Sequence, residues 1–317
     1  MKIVILDAQT LGDDIDLSSI QALGEVEIYP LTAPEEVEER IQDADVVIVN
    51  KVLLNETNLK AASKLKLIAL FATGFNNINL DYAKVRGIGV VNVAGYSTKS
   101  VAQHTFAMLF NLLEQLSFYD HYVKSKAYAT SETFVYIARP FYELTDKTWG
   151  IIGMGDIGKA VARLAEAFGT KVIYYSTSGK NHEAGYPCVD LETLLKTSDV
   201  ISIHAPLNEY TENLIGKEAL EKMKETAILI NVGRGKIIDE SALAQALMAN
   251  QIRGVALDVL EKEPIEANHP LYDVDPAKWL VTPHIAWASV EARRTLVHEV
   301  ALNIEAFTSG KVRNRLV

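Results

Sequence analysis

The stretch Trp149-Gly-Ile-Ile-Gly-Met-Gly-Asp-Ile-Gly158 decides the fold. An apolar run leads into G-x-G-x-x-G, a helical pattern follows over residues 159–168, and a β-branched run returns at 171–175. That context is the βαβ unit of a dinucleotide-binding sheet. Gly153 permits the tight turn, Gly155 lets backbone approach a pyrophosphate, and Gly158 lets helix and strand pack closely. Asp156 and Ile157 complete the turn, where the helix N-terminus offers N–H groups and a positive dipole end to phosphate.

The second strand of such a unit usually ends in an acidic residue for the adenine ribose, about 20 residues on. Here the sequence reads Tyr175-Ser176-Thr177-Ser178-Gly179-Lys180, with no carboxylate. The hydroxyls of Ser176, Thr177 and Ser178 and the charge of Lys180 suit a ribose 2′-phosphate. Equally, Ser176 can be a neutral turn residue that tolerates either cofactor. The expectation is NADP or NAD, with NADP(H) favoured.

Outward from the glycine turn, strand-like runs recur at 149–153, 171–175, 200–204, 227–232, 254–259 and 280–282, with helices starting near Ile157, Leu191, Gly216 and Asp239. Six strands with crossovers predict a doubly wound parallel sheet. Before it lies a smaller alternation, with strands at 3–6, 46–49, 67–71 and 90–93. Its helices are expected at 32–42, opened by a capping box at Thr32 and Glu35, at 57–64, and at 81–86, closed by Gly87. Residues 100–116 form a helix apolar on nearly every face, with a further capping box at Ser100 and Gln103. Such a helix must be buried all round, so it is expected between lobes or subunits. Ser289 caps a last helix with Leu296, Val297, Val300, Ile304 and Phe307 on one side.

Ligands bind at the carboxyl ends of strands in open α/β sheets, and three charged residues stand there. Arg234 sits in Asn231-Val-Gly-Arg-Gly235, Glu263 in the segment after Asp258, and His284 in Thr282-Pro-His-Ile-Ala-Trp287. The set suits hydride transfer to a 2-oxo acid. A guanidinium binds a carboxylate bidentately. An imidazole exchanges protons near neutral pH, and a neighbouring carboxylate favours its charged form and orients it.

These motifs, with Ala72-Thr-Gly-Phe-Asn-Asn-Ile-Asn79, Ser97-Thr-Lys-Ser-Val-Ala-Gln-His-Thr105 and Ser202-Ile-His-Ala-Pro-Leu207, resemble the D-isomer-specific 2-hydroxyacid dehydrogenase family over essentially the whole chain. The resemblance implies two Rossmann-like lobes. A doubly wound dinucleotide-binding domain (100–288) would be inserted into a smaller, flavodoxin-like catalytic domain (1–99 and 289–317). It implies Arg234, Glu263 and His284 as the catalytic set. Cofactor contacts would come from the glycine turn, Ser176, Thr177, Ser178, Lys180, His204, Ala205, Pro206, Thr211, Val232, Asp258 and His284. It also implies substrate contacts from Thr73, Gly74, Phe75 and Arg234. Lys51 and Trp287 would narrow the pocket towards small polar acids such as hydroxypyruvate or glyoxylate. A homodimer built through the helix after Ser100 is implied as well. Ser176 stands where many members carry Asp, and Gln103 replaces a common Glu.

Composition bounds the alternatives. The 317 residues carry 31 Lys+Arg against 41 Asp+Glu, a net charge of −10. Nucleic-acid binding, which draws on a basic face, is not expected. No apolar run approaches the ~20 residues of a membrane span. The chain enters a strand directly at its N-terminus, and its one cysteine, Cys188, supports neither a disulfide framework nor a cysteine zinc site. A cytoplasmic protein without a metal centre is expected. Two further readings stay open: a dehydrogenase for a larger, lactate-like D-2-hydroxy acid, and a dinucleotide-sensing regulator with little turnover.

Overall fold

The structure is a computed structural model and describes residues 1–179 and 185–317. It divides into two compact units, Met1–Ser97 with Trp287–Val317, and Thr98–Ala286.

In the first unit, β1 (Lys2–Ile5), β2 (Glu25–Ile28), β3 (Val46–Val49), β4 (Leu67–Leu70) and β5 (Gly89–Val91) form a parallel sheet in the order β2-β1-β3-β4-β5, the flavodoxin-like arrangement. Its central strands are apolar at every position because both faces are covered. Val4, Val47, Val49 and Ile68 pack to one side. Ile3, Ile5, Ile48 and Leu67 pack to the other, against Leu296, Val300 and Ile304 of the C-terminal helix Val290–Thr308.

Two sequence expectations are corrected here. β2 was not foreseen; its sequence, Glu-Val-Glu-Ile, is that of a solvated edge strand rather than a buried run. Thr32 caps no helix: its hydroxyl donates to Leu6 O at 2.5 Å. The turn opens one residue later, where Glu36 Oε2 accepts from Ala33 N at 2.8 Å. Short helices α1 (Ser18–Gln21), α2 (Val37–Ile41), α3 (Glu56–Leu59) and α4 (Leu80–Val85) complete the unit.

The second unit opens with α5 (Thr98–Leu113) and α6 (Leu116–Lys124). Then β6 (Thr148–Ile152), α7 (Asp156–Ala167), β7 (Lys171–Tyr175), α8 (Leu191–Thr197) and β8 (Val200–Ile203) follow. After them come α9 (Lys217–Glu221), β9 (Ile228–Asn231), α10 (Glu240–Met248), β10 (Gly254–Leu257) and β11 (Trp279–Val281). All six strands are parallel, in the order β11-β10-β9-β8-β6-β7. β6 pairs with β7 on one side and β8 on the other. The strand order therefore reverses beside the glycine turn, which is where such sheets bind ligands.

The apolar helix also differs from expectation. Ser100 is inside α5, not at its cap, and its hydroxyl donates to Ala286 O at 2.7 Å; Gln103 is exposed. The helix stops at Leu113, and Gln115, at φ 55°, turns the chain into α6. No second subunit is needed to bury α5. Phe106 packs on Trp149 with centroids 4.8 Å apart and on Phe168 at 5.6 Å, and Met108, Leu109 and Leu112 are buried within the same unit. The apolar surface left open lies further on, at Leu116, Val123, Phe134, Ile137 and Phe141. Leu109→Ala should therefore cost about 2–5 kcal/mol in denaturant unfolding, the range for a buried leucine, by the same amount at low and high protein concentration. A cost that vanished on dilution would mean that α5 is covered by another chain.

Candidate active site

The glycine turn fits a dinucleotide by its packing. Gly153 has φ 91°, a left-handed conformation natural to glycine, and a Cβ there would lie 2.8 Å from Ala205 N. A Cβ on Gly158 would lie 2.3 Å from Gly153 O, so α7 rests directly on the turn. A Cβ on Gly155 would meet nothing within 4 Å. This is the open face that backbone N–H groups at the start of α7 offer to a pyrophosphate. Asp156 is exposed and Ile157 half-buried at that helix start.

Two polar atoms beside this turn are buried without a hydrogen-bond partner: Ser176 Oγ, after β7, and His204 Nδ1, after β8. Trp149 Nε1 donates to Ser202 Oγ at 2.9 Å, and Ser202 Oγ lies 2.9 Å from His204 Nε2. An indole N–H only donates. Ser202 Oγ accepts that hydrogen and ties the indole to the imidazole. His204 as a residue is half-buried, but burial around the ring holds it neutral, with its pKa pushed down to about 3. An imidazole nitrogen and a hydroxyl, both buried and without a protein partner, thus flank the turn, two polar atoms that a bound phosphate or ribose would satisfy. Thr177 is half-buried and Ser178 exposed; Lys180 lies outside the described residues. Pro206 is exposed, whereas Thr211 is fully buried. Thr211 Oγ1 donates to Pro206 O at 2.7 Å and accepts from Asn208 N at 2.8 Å, so it acts on a ligand only through the turn that it closes.

The arginine turn leans on the same strand end. A Cβ on Gly233 would lie 2.9 Å from Ala205 O, which sets the turn of β9 against the end of β8. Asn231, fully buried, accepts from Gly233 N at 2.9 Å and donates to Arg234 O at 2.9 Å. Val232 and Arg234 are half-buried, and Arg234 Nη1 donates to Gly233 O at 2.8 Å. A Cβ on Gly235 would lie 1.9 Å from Leu260 C. The loop that carries Glu263 therefore lies flat on the arginine turn.

Glu263 meets His284: Oε2 is 2.7 Å from Nδ1, while Oε1 accepts from Leu260 N at 3.0 Å. His284 has φ 56°, an uncommon backbone conformation for a non-glycine residue that persists only when its surroundings fix it. Asp258 fixes it. Its backbone oxygen accepts from His284 N at 2.9 Å. Its carboxylate, 2% exposed, accepts from Thr282 Oγ1 at 2.6 Å and from Ile285 N and Ala286 N, both at 2.8 Å. Since an ionised carboxylate has about four acceptor positions, Asp258 is first an anchor for the His284 loop. His104 supports it, with Nε2 3.1 Å from Thr282 Oγ1. Among the described residues no group of three or more His, Cys, Asp or Glu side chains is placed to hold a metal ion.

In the first unit, Lys51 is exposed on a loop held by the buried Asp7, whose carboxylate accepts from Asn50 N at 2.9 Å, Lys51 N at 2.6 Å and Val52 N at 3.2 Å. Burial pushes the Asp7 carboxyl upward, against these backbone bonds. The Thr73–Gly74–Phe75 loop is pinned by Thr73 Oγ1 on Val93 O and by Asn92 Nδ2 on Thr73 O, both at 2.7 Å. Gly74 is half-buried and Phe75 is 39% exposed. Trp287 packs edge-on to Tyr96 with centroids 6.3 Å apart. Sequence reasoning missed the supports Asp7, Asn92, Asn231 and His104. The first three share one signal, a polar residue that ends an apolar run, where burial requires a partner.

A sequence profile of the "D-isomer specific 2-hydroxyacid dehydrogenase, NAD binding domain" matches residues 106–286. The chain is 40% identical to a glycerate dehydrogenase of Methylorubrum extorquens, covering 99% of this chain and 98% of that one. Its structure is similar to that of a Thermus thermophilus protein, at 30% identity and TM-score 0.91 over the full length of both. It is also similar to the NADPH-dependent glyoxylate/hydroxypyruvate reductase of Sinorhizobium meliloti in complex with NADP and malonate, at 26% identity and TM-score 0.84, covering 100% and 96%. The chain belongs to the D-isomer-specific 2-hydroxyacid dehydrogenase family, NAD(P)-dependent enzymes that interconvert 2-hydroxy and 2-oxo acids.

Proposed function

We propose that the enzyme reduces a small 2-oxo acid, hydroxypyruvate to D-glycerate or glyoxylate to glycolate. The observation that carries the reading is the 2.7 Å contact between Glu263 and His284, on a loop that lies against the Arg234 turn. Arg234 binds the substrate carboxylate through its planar fork and polarises the keto oxygen. The nicotinamide, when bound, supplies the hydride to C2. His284, held at Nδ1 by Glu263, gives the proton from Nε2 to the oxygen of the forming alcohol, and the Glu263 carboxylate stabilises the charged imidazole before transfer. In the first unit, Lys51, Thr73, Gly74, Phe75 and Trp287 belong to the same proposal as substrate-binding residues. Likeness to a glycerate dehydrogenase and to a glyoxylate/hydroxypyruvate reductase supports the choice of acid. Replacing His284 with Ala should lower the reduction rate by ~10²–10⁴, as for loss of a general acid, with the affinity for reduced cofactor kept. Normal turnover by that variant would remove His284 from the mechanism.

For the cofactor, we propose that NADPH is used at least as well as NADH. A carboxylate at the end of β7 would accept from a ribose 2′-OH and repel a 2′-phosphate, and Ser176 does neither. Its buried Oγ is a hydrogen bond in waiting. The preference should be about tenfold in kcat/KM, on the order of 1–2 kcal/mol, and Ser176→Asp should reverse it. A strong preference for NADH in the unmodified enzyme would show that other groups hold the ribose.

We further propose a homodimer, seated on the apolar surface at and after α6 rather than on α5. Phe134 is 88% and Ile137 75% exposed, a density of open apolar side chains that marks an interface. Light scattering at micromolar concentration should give about twice 35.0 kDa. A monomeric mass would contradict the assignment.

A further inference from the structure

A buried pair of titratable side chains behind the acid–base residues has no part in the mechanism so far. Glu240 is the first residue of α10, and it and His269 are each about 10% exposed at the side chain. His269 Nδ1 accepts from Leu271 N at 3.3 Å, so its proton is assigned to Nε2, which lies 2.8 Å from Glu240 Oε2. The other carboxylate oxygen, Oε1, accepts from Glu261 N at 2.7 Å. Two adjacent amides of one loop are thereby held by two carboxylates: Leu260 N by Glu263 and Glu261 N by Glu240. One of these carboxylates is the group that orients His284.

We infer that Glu240, with His269 behind it, is a positioning residue that sets Glu263 against His284. The inference rests on the proposed role of Glu263. α10 is a fixed reference, because Asp239 caps it by accepting from Ala242 N at 3.0 Å and Leu243, Ala244 and Leu247 are fully buried in the core. Glu240 extends that reference to the loop through one short, charge-assisted bond. Gly235 presses on the same peptide. Without Glu240, Glu261 N would be left without its acceptor, and the loop would be free to move by the few tenths of an ångström that separate a strong imidazole–carboxylate contact from a weak one. His269 satisfies the second oxygen of Glu240, which a buried carboxylate requires.

The test is a double-mutant cycle with a pH profile. Glu240→Ala should lower kcat/KM for hydroxypyruvate by about tenfold, the low end for groups that orient a reacting residue, with the Kd of reduced cofactor unchanged. Reduction uses the protonated imidazole, and a displaced Glu263 stabilises that form less. The alkaline limb of the profile should therefore move to lower pH. In a Glu263→Ala background the same substitution should cost nothing further, because its route of action is already gone. Glu240→Gln, which keeps an oxygen for Glu261 N, should recover most of the rate; it also stands in if the alanine variant fails to fold. A Glu240→Ala rate equal to that of the unmodified enzyme overturns the inference. So does an equal loss in both backgrounds with the pH profile unmoved, and so does a Gln variant as impaired as Ala. If Glu263→Ala itself leaves rate and profile unchanged, the acid–base assignment falls instead, and the two failures are told apart.

Discussion

The backbone of Ala205, at the end of β8, is wedged between two glycine turns. Gly153 presses on its amide and Gly233 on its carbonyl oxygen, each so closely that a Cβ would come within 3 Å. That double contact sets the spacing between the dinucleotide turn after β6 and the arginine turn after β9. A third close approach, Gly235 against Leu260, brings the Glu263 loop to the same place. The dinucleotide turn, the arginine turn and the Glu263–His284 pair are thus registered by backbone packing, which is stiff. Long side chains such as Arg and Glu, which lose much rotamer freedom on ordering, need only supply the last few ångströms.

The polar anchors follow the same economy. Asp258 is 2% exposed, yet its carboxylate holds one hydroxyl and two amides of the loop that carries His284. Asp7 performs the same service for residues 50–52 in the first unit. Each is a buried carboxyl group satisfied by hydrogen bonds from backbone. In the case of Asp258, these bonds hold a histidine at φ 56°, a conformation that the loop would otherwise relax. His204 shows the opposite treatment: a ring kept neutral by burial, with Nδ1 left for a ligand to satisfy.

Most of this fold was legible because both sheets are parallel and covered on both faces, so their central strands read as uninterrupted apolar runs. Val46–Val49 and Val200–Ile203 fall where the apolar runs put them. β2 escaped because an edge strand with two glutamates carries no such signal. The capping boxes at Thr32 and Ser100 were matches to a local pattern that the tertiary structure overrode, since both hydroxyls bond to distant carbonyls. In the candidate site, Arg234, Glu263 and His284 drew notice because each follows a strand end of the sheet, and of these the structure pairs Glu263 with His284. Glu240 and His269 drew none. They meet across 29 residues, and nothing local in either segment distinguishes a buried pair from a solvated one.

Transfer of label tests the account most directly. Reduced cofactor carrying deuterium at both positions of nicotinamide C4, incubated with the enzyme and hydroxypyruvate in ordinary water, should yield D-glycerate with one deuterium at C2, since in the proposed mechanism the hydride comes from the cofactor and only the hydroxyl proton passes through His284. Glycerate without deuterium at C2, or of the L configuration, would contradict the assignment of these residues to a D-specific hydride transfer.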